Sequence, residues 1–345
     1  MKVDDLQFDR PAGLEATSPA ERRGLARDEV RLMVTRKGRS EDHRFLELPR
    51  ILRAGDLLVV NRSATLAASL PAMGPAGPFR ISLSTEYGQG VWLTEPRVSS
   101  AVPGPLPLAD QDQLTVAGVP ARFVSEFPGL PRLAFLRFQG DLRRAMRRHG
   151  EPVRYSYASG AFPLEDYQTI FGAVPGSAEM ASAGRPFSAR ILEQLRRRRI
   201  SVAEILLHAG VSSLEIETER VEASPVAPEP FAVPSRTVEA IAETRERGGR
   251  VIAIGTTVVR ALAAARSGGE LRAARGFTRI LLGPENPPEG IDAILTGFHD
   301  PRTTHLALLH GIAGRHAIDQ SYSAAVARGY LWHEFGDSHL LFAAG

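Results

Sequence analysis

Two histidines stand where an α/β protein does its proton chemistry. His208 follows the apolar run at residues 202–207 (VAEILL), and His299 follows the run at 291–296 (IDAILT) by way of Gly297-Phe298. An imidazole titrates close to neutrality, so a histidine just past the carboxyl end of a buried strand is a candidate general acid or base. Asp337, in a Gly-Asp break between two apolar runs at 330–341, could orient a histidine or donate a proton. A third group suits ligand holding: Gly255-Thr256-Thr257, followed by Arg260, lies between an apolar β-branched run (250–254) and a helix-forming run (258–265). Glycine permits a sharp turn, the hydroxyls can cap the helix, and the unsatisfied N–H groups of its first turn attract anions. Each of these residues also has a purely structural reading, as a hydrogen-bonded histidine or an ordinary βα junction. Six of the nine histidines lie from His299 onward. His305, His310 and His316 do not share an i,i+4 face and no HExxH occurs, so no metal site is expected.

These side chains need a scaffold to bring them together. Strands are expected at 29–35, 56–60, 202–207, 250–254, 279–282 and 291–296, and helices at 189–198 and 236–247. Asn61-Arg62-Ser63 closes one strand with polar groups, and ligands of open α/β sheets bind beyond such carboxyl ends. Between 65 and 138 the texture changes to short runs (79–84, 91–95, 113–116, 119–126, 132–138) punctuated by Pro and Gly, the pattern of a small antiparallel barrel. The expected architecture is a mixed-sheet α/β domain, residues 1–64 and 139–345, with an antiparallel β-barrel inserted at 65–138. A basic helix follows at 141–149 (DLRRAMRRH), its arginines either solvated or able to meet phosphates. The long Gly/Pro/Ser/Tyr-rich stretch 151–188 carries one helix near 164–171 and leads to Ser188, the expected N-cap of the next helix.

Composition narrows the class. A chain of 345 residues, 43% hydrophobic and 23% charged, can bury a sizeable core. With no cysteine there is no disulfide, thiolate nucleophile or cysteine-ligated cluster. The first residues, MKVDDLQFDRP, lack a signal-like basic and apolar pattern, and no run approaches a membrane span, so a cytoplasmic protein without membrane partners is expected. A net charge of +3 permits nucleic-acid contact without requiring it. Nothing in the sequence fixes an oligomeric state.

Taken in order, GDLLVVN (55–61), YQT-F (167–171), SAG-PFS (182–188), LH-G (207–210), GTT-V-VRAL (255–262), DA-I-L-T-G-FH-P-TT (292–304) and FGDSHLL (335–341) resemble the S-adenosylmethionine:tRNA ribosyltransferase-isomerase family of queuosine biosynthesis. The resemblance implies an α/β domain with an inserted barrel. It also implies a reaction that moves the ribosyl part of S-adenosylmethionine onto the aminomethyl group of a 7-deazaguanine base in tRNA, rearranging it to an epoxycyclopentane and releasing adenine and methionine. On that basis His208, His299 and Asp337 are the catalytic candidates. Gly255, Thr256, Thr257, Arg260, Phe298, Thr303 and Thr304 are candidates for holding S-adenosylmethionine, and Asn61, Tyr167, Gln168, Gly184, Arg185 and Phe187 for the acceptor side. The chain departs from the family pattern at Arg62-Ser63-Ala64-Thr65, at residues 151–157, at residues 209–214, at Asp300 and Arg302, and at 179–188, where Glu179 and Arg185 replace alanine and leucine. Three readings follow: the tRNA reaction, a same-fold S-adenosylmethionine enzyme with another acceptor or none, and a non-catalytic nucleic-acid-binding module.

Overall fold

A computed structural model describes residues 1–99, 106, 108, 109, 113–211 and 216–344; the departure at 212–214 lies outside these. The largest sheet has nine strands, in the spatial order Ala274–Thr278, Glu229–Val233, Ser201–Leu207, Leu57–Asn61, Val251–Ile254, Ala293–Thr296, Ser338–Phe342, Arg31–Arg36, Arg39–Arg44. Its centre, from Ser201–Leu207 to Ala293–Thr296, is parallel, and antiparallel partners flank it on both sides.

Alternation along the central strands fills two cores at once. Leu57, Val59, Val251, Ala253 and Ile294 face one, with Val258, Leu262, Leu309 and Tyr322 from the covering helices. Leu58, Val60, Ile252, Ile254 and Leu295 face the other, against Phe45, Phe187, Ile191 and Leu195. A strand buried on both faces has to be apolar at every position, which is why these runs carry no polar alternation.

Six antiparallel strands between Ser69 and Phe138 close into a barrel, in the order Leu130–Phe138, Val91–Arg97, Gly77–Glu86, Ser69–Gly74, Gln113–Val116, Val119–Phe127. Ser69–Gly74 (SLPAMG) escapes propensity reasoning, since Pro, Ala and Gly are poor strand formers. Thr65 is not part of the barrel: Ser63–Thr65 pairs in parallel with Val174–Ser177. Other expectations are corrected too. Residues 279–282 are not a strand, their place in the sheet being taken by Ala274–Thr278; the helix near 164–171 is a single 3₁₀ turn, Leu164–Tyr167; of the 330–341 runs only Ser338–Phe342 is a strand, Trp332 making an isolated parallel bridge to Glu15. No helix among the described residues is long and apolar enough to cross a membrane.

Candidate active site

Beyond the carboxyl ends of Val251–Ile254 and Ala293–Thr296 lies a cavity of ≈ 380 Å³. Gly255 turns the first of these strands into the helix Thr256–Ala264 at φ +94, and a Cβ there would sit 3.2 Å from the Ala183 methyl, so the position is closed to larger residues. Thr303 caps the helix Thr304–Ala313, its hydroxyl accepting from the Leu306 N–H at 3.3 Å and donating to the Asp300 carbonyl at 2.9 Å. Thr256, Thr257 and Thr303 all line the cavity, which therefore receives two helix amino ends with their positive dipole poles.

His299 lies between them. Its backbone N–H donates to the Tyr322 hydroxyl at 3.2 Å, its carbonyl accepts from the Trp332 indole at 3.1 Å, and its Nε2 is 2.8 Å from Thr296 Oγ1. The ring is tilted against His305 at 4.9 Å. Desolvation, with the neighbouring His333 as a lesser cause, holds the His299 pKa down to about 4. The imidazole is neutral at pH 7 and able to accept a proton.

Another part of the lining is built from side chains. Tyr155 stacks on Tyr157 at 6.0 Å, and Tyr157 stacks on His333 at 4.1 Å. Tyr157 donates to Glu334 Oε2 at 3.2 Å and Tyr155 donates to Glu179. Burial, reinforced by Glu179, pushes Glu334 up to about 8, so at neutral pH it is mostly an uncharged acid. The wall is braced from the barrel. Arg97 lies 5.4 Å from the Tyr155 ring, donates to the Arg154 carbonyl at 3.0 Å and is held by Glu95 at 2.6 Å; Glu95 also pairs with Arg132 at 2.5 Å.

Of the residues singled out from sequence, Gly255, Thr256, Thr257, Arg260, Phe298, His299 and Thr303 line the cavity. Arg260 is ion-paired with buried Glu229, whose other oxygen accepts from the Gly210 N–H at 3.0 Å. Thr304 lines a smaller neighbouring cavity of ≈ 90 Å³.

The remaining candidates do not line this cavity; each has partners that complete the fold, and Asn61 also reaches the cavity-lining Thr257, its Nδ2 donating to the hydroxyl at 3.3 Å. His208 Nδ1 is 2.7 Å from Ser63 Oγ, itself 2.5 Å from Ser177 Oγ. The His208 ring lies against Gly176, where a Cβ would come within 2.4 Å of it. Asp337 accepts from the backbone N–H groups of Arg31 at 2.9 Å and Leu331 at 2.8 Å, and burial raises its pKa. Asn61 clasps two strand ends, its amide donating to the Leu207 carbonyl at 2.8 Å while its Oδ1 accepts from Leu207 and Ser63, both at 3.1 Å. Gln168 makes two bonds to the Thr65 backbone, at 3.1 and 2.8 Å, and Tyr167 packs against Phe335. Phe187 fills the core between Phe45 and Phe171, with Gly184 against the Phe171 ring. Arg185, 3% exposed, pairs with Glu21 at 2.9 Å.

Tyr155, Tyr157, Glu179 and Glu334 escaped sequence reasoning as site residues. Their one signal is the closeness of Tyr155 and Tyr157 in the chain, whose rings stack at a turn closed by the Ala158 N–H donating to the Tyr155 carbonyl at 3.1 Å. Among the described residues no group of three or more His, Asp or Glu could hold a metal ion.

A family described as "Queuosine biosynthesis protein" matches residues 3–341. The chain belongs to that family. It is 37% identical to the S-adenosylmethionine:tRNA ribosyltransferase-isomerase of Thermus thermophilus, over 91% of this chain and 93% of that one. The Thermotoga maritima protein of the same name is 33% identical, over 99% of this chain and all of its own. A crystal structure of the S-adenosylmethionine tRNA ribosyltransferase from Thermotoga maritima superposes with a TM-score of 0.55 at 27% identity, covering 98% of this chain and 100% of that one. Family membership thus accords with the mixed sheet and inserted barrel.

Proposed function

We propose that this enzyme transfers the ribosyl part of S-adenosylmethionine to the aminomethyl group of a 7-deazaguanine base in tRNA, forming the epoxycyclopentane and releasing adenine and methionine. The observation that carries the reading is near-full-length kinship with ribosyltransferase-isomerases, in a chain whose cavity joins two helix amino ends to a neutral histidine. S-adenosylmethionine fits this lining: its carboxylate is matched by the helix ends at Thr256 and Thr303. The cofactor supplies an activated ribosyl carbon, since the sulfonium acidifies the adjacent C5′ protons and makes methionine a leaving group. The protein's part is to orient that carbon and take a proton. His299, held at its N–H, its carbonyl and Nε2, is the base in this reading. Arg260 keeps its charge on Glu229 and shapes the wall.

The test is release of methionine and adenine from S-adenosylmethionine, with and without tRNA carrying the aminomethyl-deazaguanine base. Release that requires this tRNA is expected. Release without any tRNA would move the chain to the cofactor-cleaving reading, and no release under either condition would reject the assignment.

A further inference from the structure

The part of the lining that carries Tyr155 and Tyr157 has its own chemistry, and the steps above do not use it. Four polar side chains meet there in two pairs, Tyr155 with Glu179 and Tyr157 with Glu334. The two arginines that also line the cavity have their charge matched: Arg260 by Glu229, and Arg10 by Glu15 at 2.5 Å and Asp300 at 3.1 Å. What remains for a ligand is acidic and aromatic: the Glu334 carboxyl group beside stacked tyrosine rings. Aromatic faces and carboxylates both favour a cation, and a carboxylate paired with a tyrosine hydroxyl has lone pairs to spare for N–H donors.

Two cations could approach in the proposed reaction. The α-ammonium of S-adenosylmethionine is attached to the carbon bearing the carboxylate, so it stays with that carboxylate at the helix ends. Its sulfonium has no hydrogen to donate. The acceptor's aminomethyl group, an ammonium at neutral pH, has three. It must also lose a proton before its nitrogen can attack carbon. Resting on the function proposed above, we propose that Glu334 is a specificity-determining residue that receives the primary ammonium of the acceptor and takes a proton from it. The proton balance is simple. When the ammonium docks, Glu334 gives its proton to solvent and forms the ion pair; then one N–H bond of the ammonium breaks as an O–H bond forms on Glu334, leaving a neutral amine beside a neutral acid.

The groups facing Glu334 fit both states. Tyr157 donates to it, and Tyr155, Tyr167 and Glu179 disfavour its charge or are disfavoured by it. The Tyr157 hydrogen bond and the Arg185 charge lower its pKa against burial and Glu179, and His333 is the next residue, stacked on Tyr157. With no cation bound these surroundings leave it protonated near neutrality, and a cation expels the proton.

The experiment uses the full-length enzyme and two variants, Glu334→Gln, which keeps a hydrogen-bond partner for Tyr157 but cannot take a proton, and Glu334→Asp. Calorimetry at pH 7 in buffers of different ionisation enthalpy follows binding of the free 7-aminomethyl-7-deazaguanine base. About one proton should be released by wild type and none by Glu334→Gln, with release restored in Glu334→Asp. In turnover, Glu334→Gln should raise KM for the modified tRNA by ~tenfold or more. Its affinity for S-adenosylmethionine should stay unchanged, and the limb of the pH–rate profile near pH 8 should disappear. Wild type binding the base without proton release, or a Gln variant with wild-type KM and pH profile, overturns the proposal. Loss of S-adenosylmethionine affinity in place of acceptor affinity overturns it as well and gives the wall to the cofactor. Proton release on binding the base, in an enzyme that releases no methionine with the tRNA, supports the amine site while rejecting the proposed reaction.

Discussion

Along one edge of the large sheet, two pairs of strand ends have met different fates. Over Leu57–Asn61 and Ser201–Leu207 the edge is closed: Asn61, 4% exposed, spends its amide on the backbone of Leu207 and Ser63 and on the Thr257 hydroxyl, and His208 is fixed by Ser63 against Gly176. Over Val251–Ile254 and Ala293–Thr296 the edge opens onto the ≈ 380 Å³ cavity. The cause is which group satisfies the backbone. At the open half Tyr322 and Trp332 reach in from other elements to take the N–H and carbonyl of His299, and its imidazole lines the cavity with Nε2 held by Thr296. At the closed half the residue at the strand end does that work with its own side chain. The rule that ligands bind beyond the carboxyl ends of parallel strands selects the edge. The hydrogen-bond assignment selects the half.

Substitution can break this contrast, most strongly at its open side. His299→Ala should lower methionine release by ~10²–10⁴, the usual contribution of a positioned base, while S-adenosylmethionine still binds by calorimetry. His208→Ala in the same assay should keep release within about tenfold of wild type, because no proton passes through the closed half. Equal losses in the two variants would erase the distinction between the halves. Next in size is Asn61→Ala, which strands buried N–H and carbonyl groups of Leu207 and Ser63; a loss of ~3 kcal/mol in urea unfolding is expected, at ~1–3 kcal/mol per unsatisfied group. A change below about 1 kcal/mol would show that the clasp is not what closes that half. The smallest effect belongs to Thr256→Ala. The helix end acts through its backbone N–H groups, so binding of S-adenosylmethionine should weaken by only ~1 kcal/mol, and a far larger loss would mean that the hydroxyl is a principal contact.

Much of the fold was legible in the sequence, because central strands buried on both faces must be continuous apolar runs and the barrel's turns must carry Gly and Pro. Ser69–Gly74 was not legible: a closed barrel recruits a strand by pairing it on both sides, whatever its propensity. The site divided the same way. Residues that reach the cavity by their position after a strand, such as Gly255, Thr256 and His299, could be read from local order. Glu179 and Glu334 could not, being 155 residues apart in the chain and joined to the cavity by contacts with Tyr155 and Tyr157 that leave no local pattern. His208 and Asp337 lie outside the cavity lining for a related reason: the polar residue types that catalyse are the same ones that cap strand ends, and their partners here are structural.

The buried Arg97–Glu95–Arg132 ion network has a consequence for inheritance. Removing one member of such a network while its partner charge stays buried typically costs ~3–5 kcal/mol, so its members change together or not at all. Arg97 also holds the Arg154 carbonyl and lies over the Tyr155 ring, which carries this constraint out of the barrel and into the acidic wall. The barrel is therefore not an exchangeable cassette. A chimaera that takes its barrel from a relative without an arginine at position 97 should retain the helix-end half of the cavity and lose the alignment of Tyr155, so that recombination between family members would separate cofactor binding from acceptor choice at this one contact.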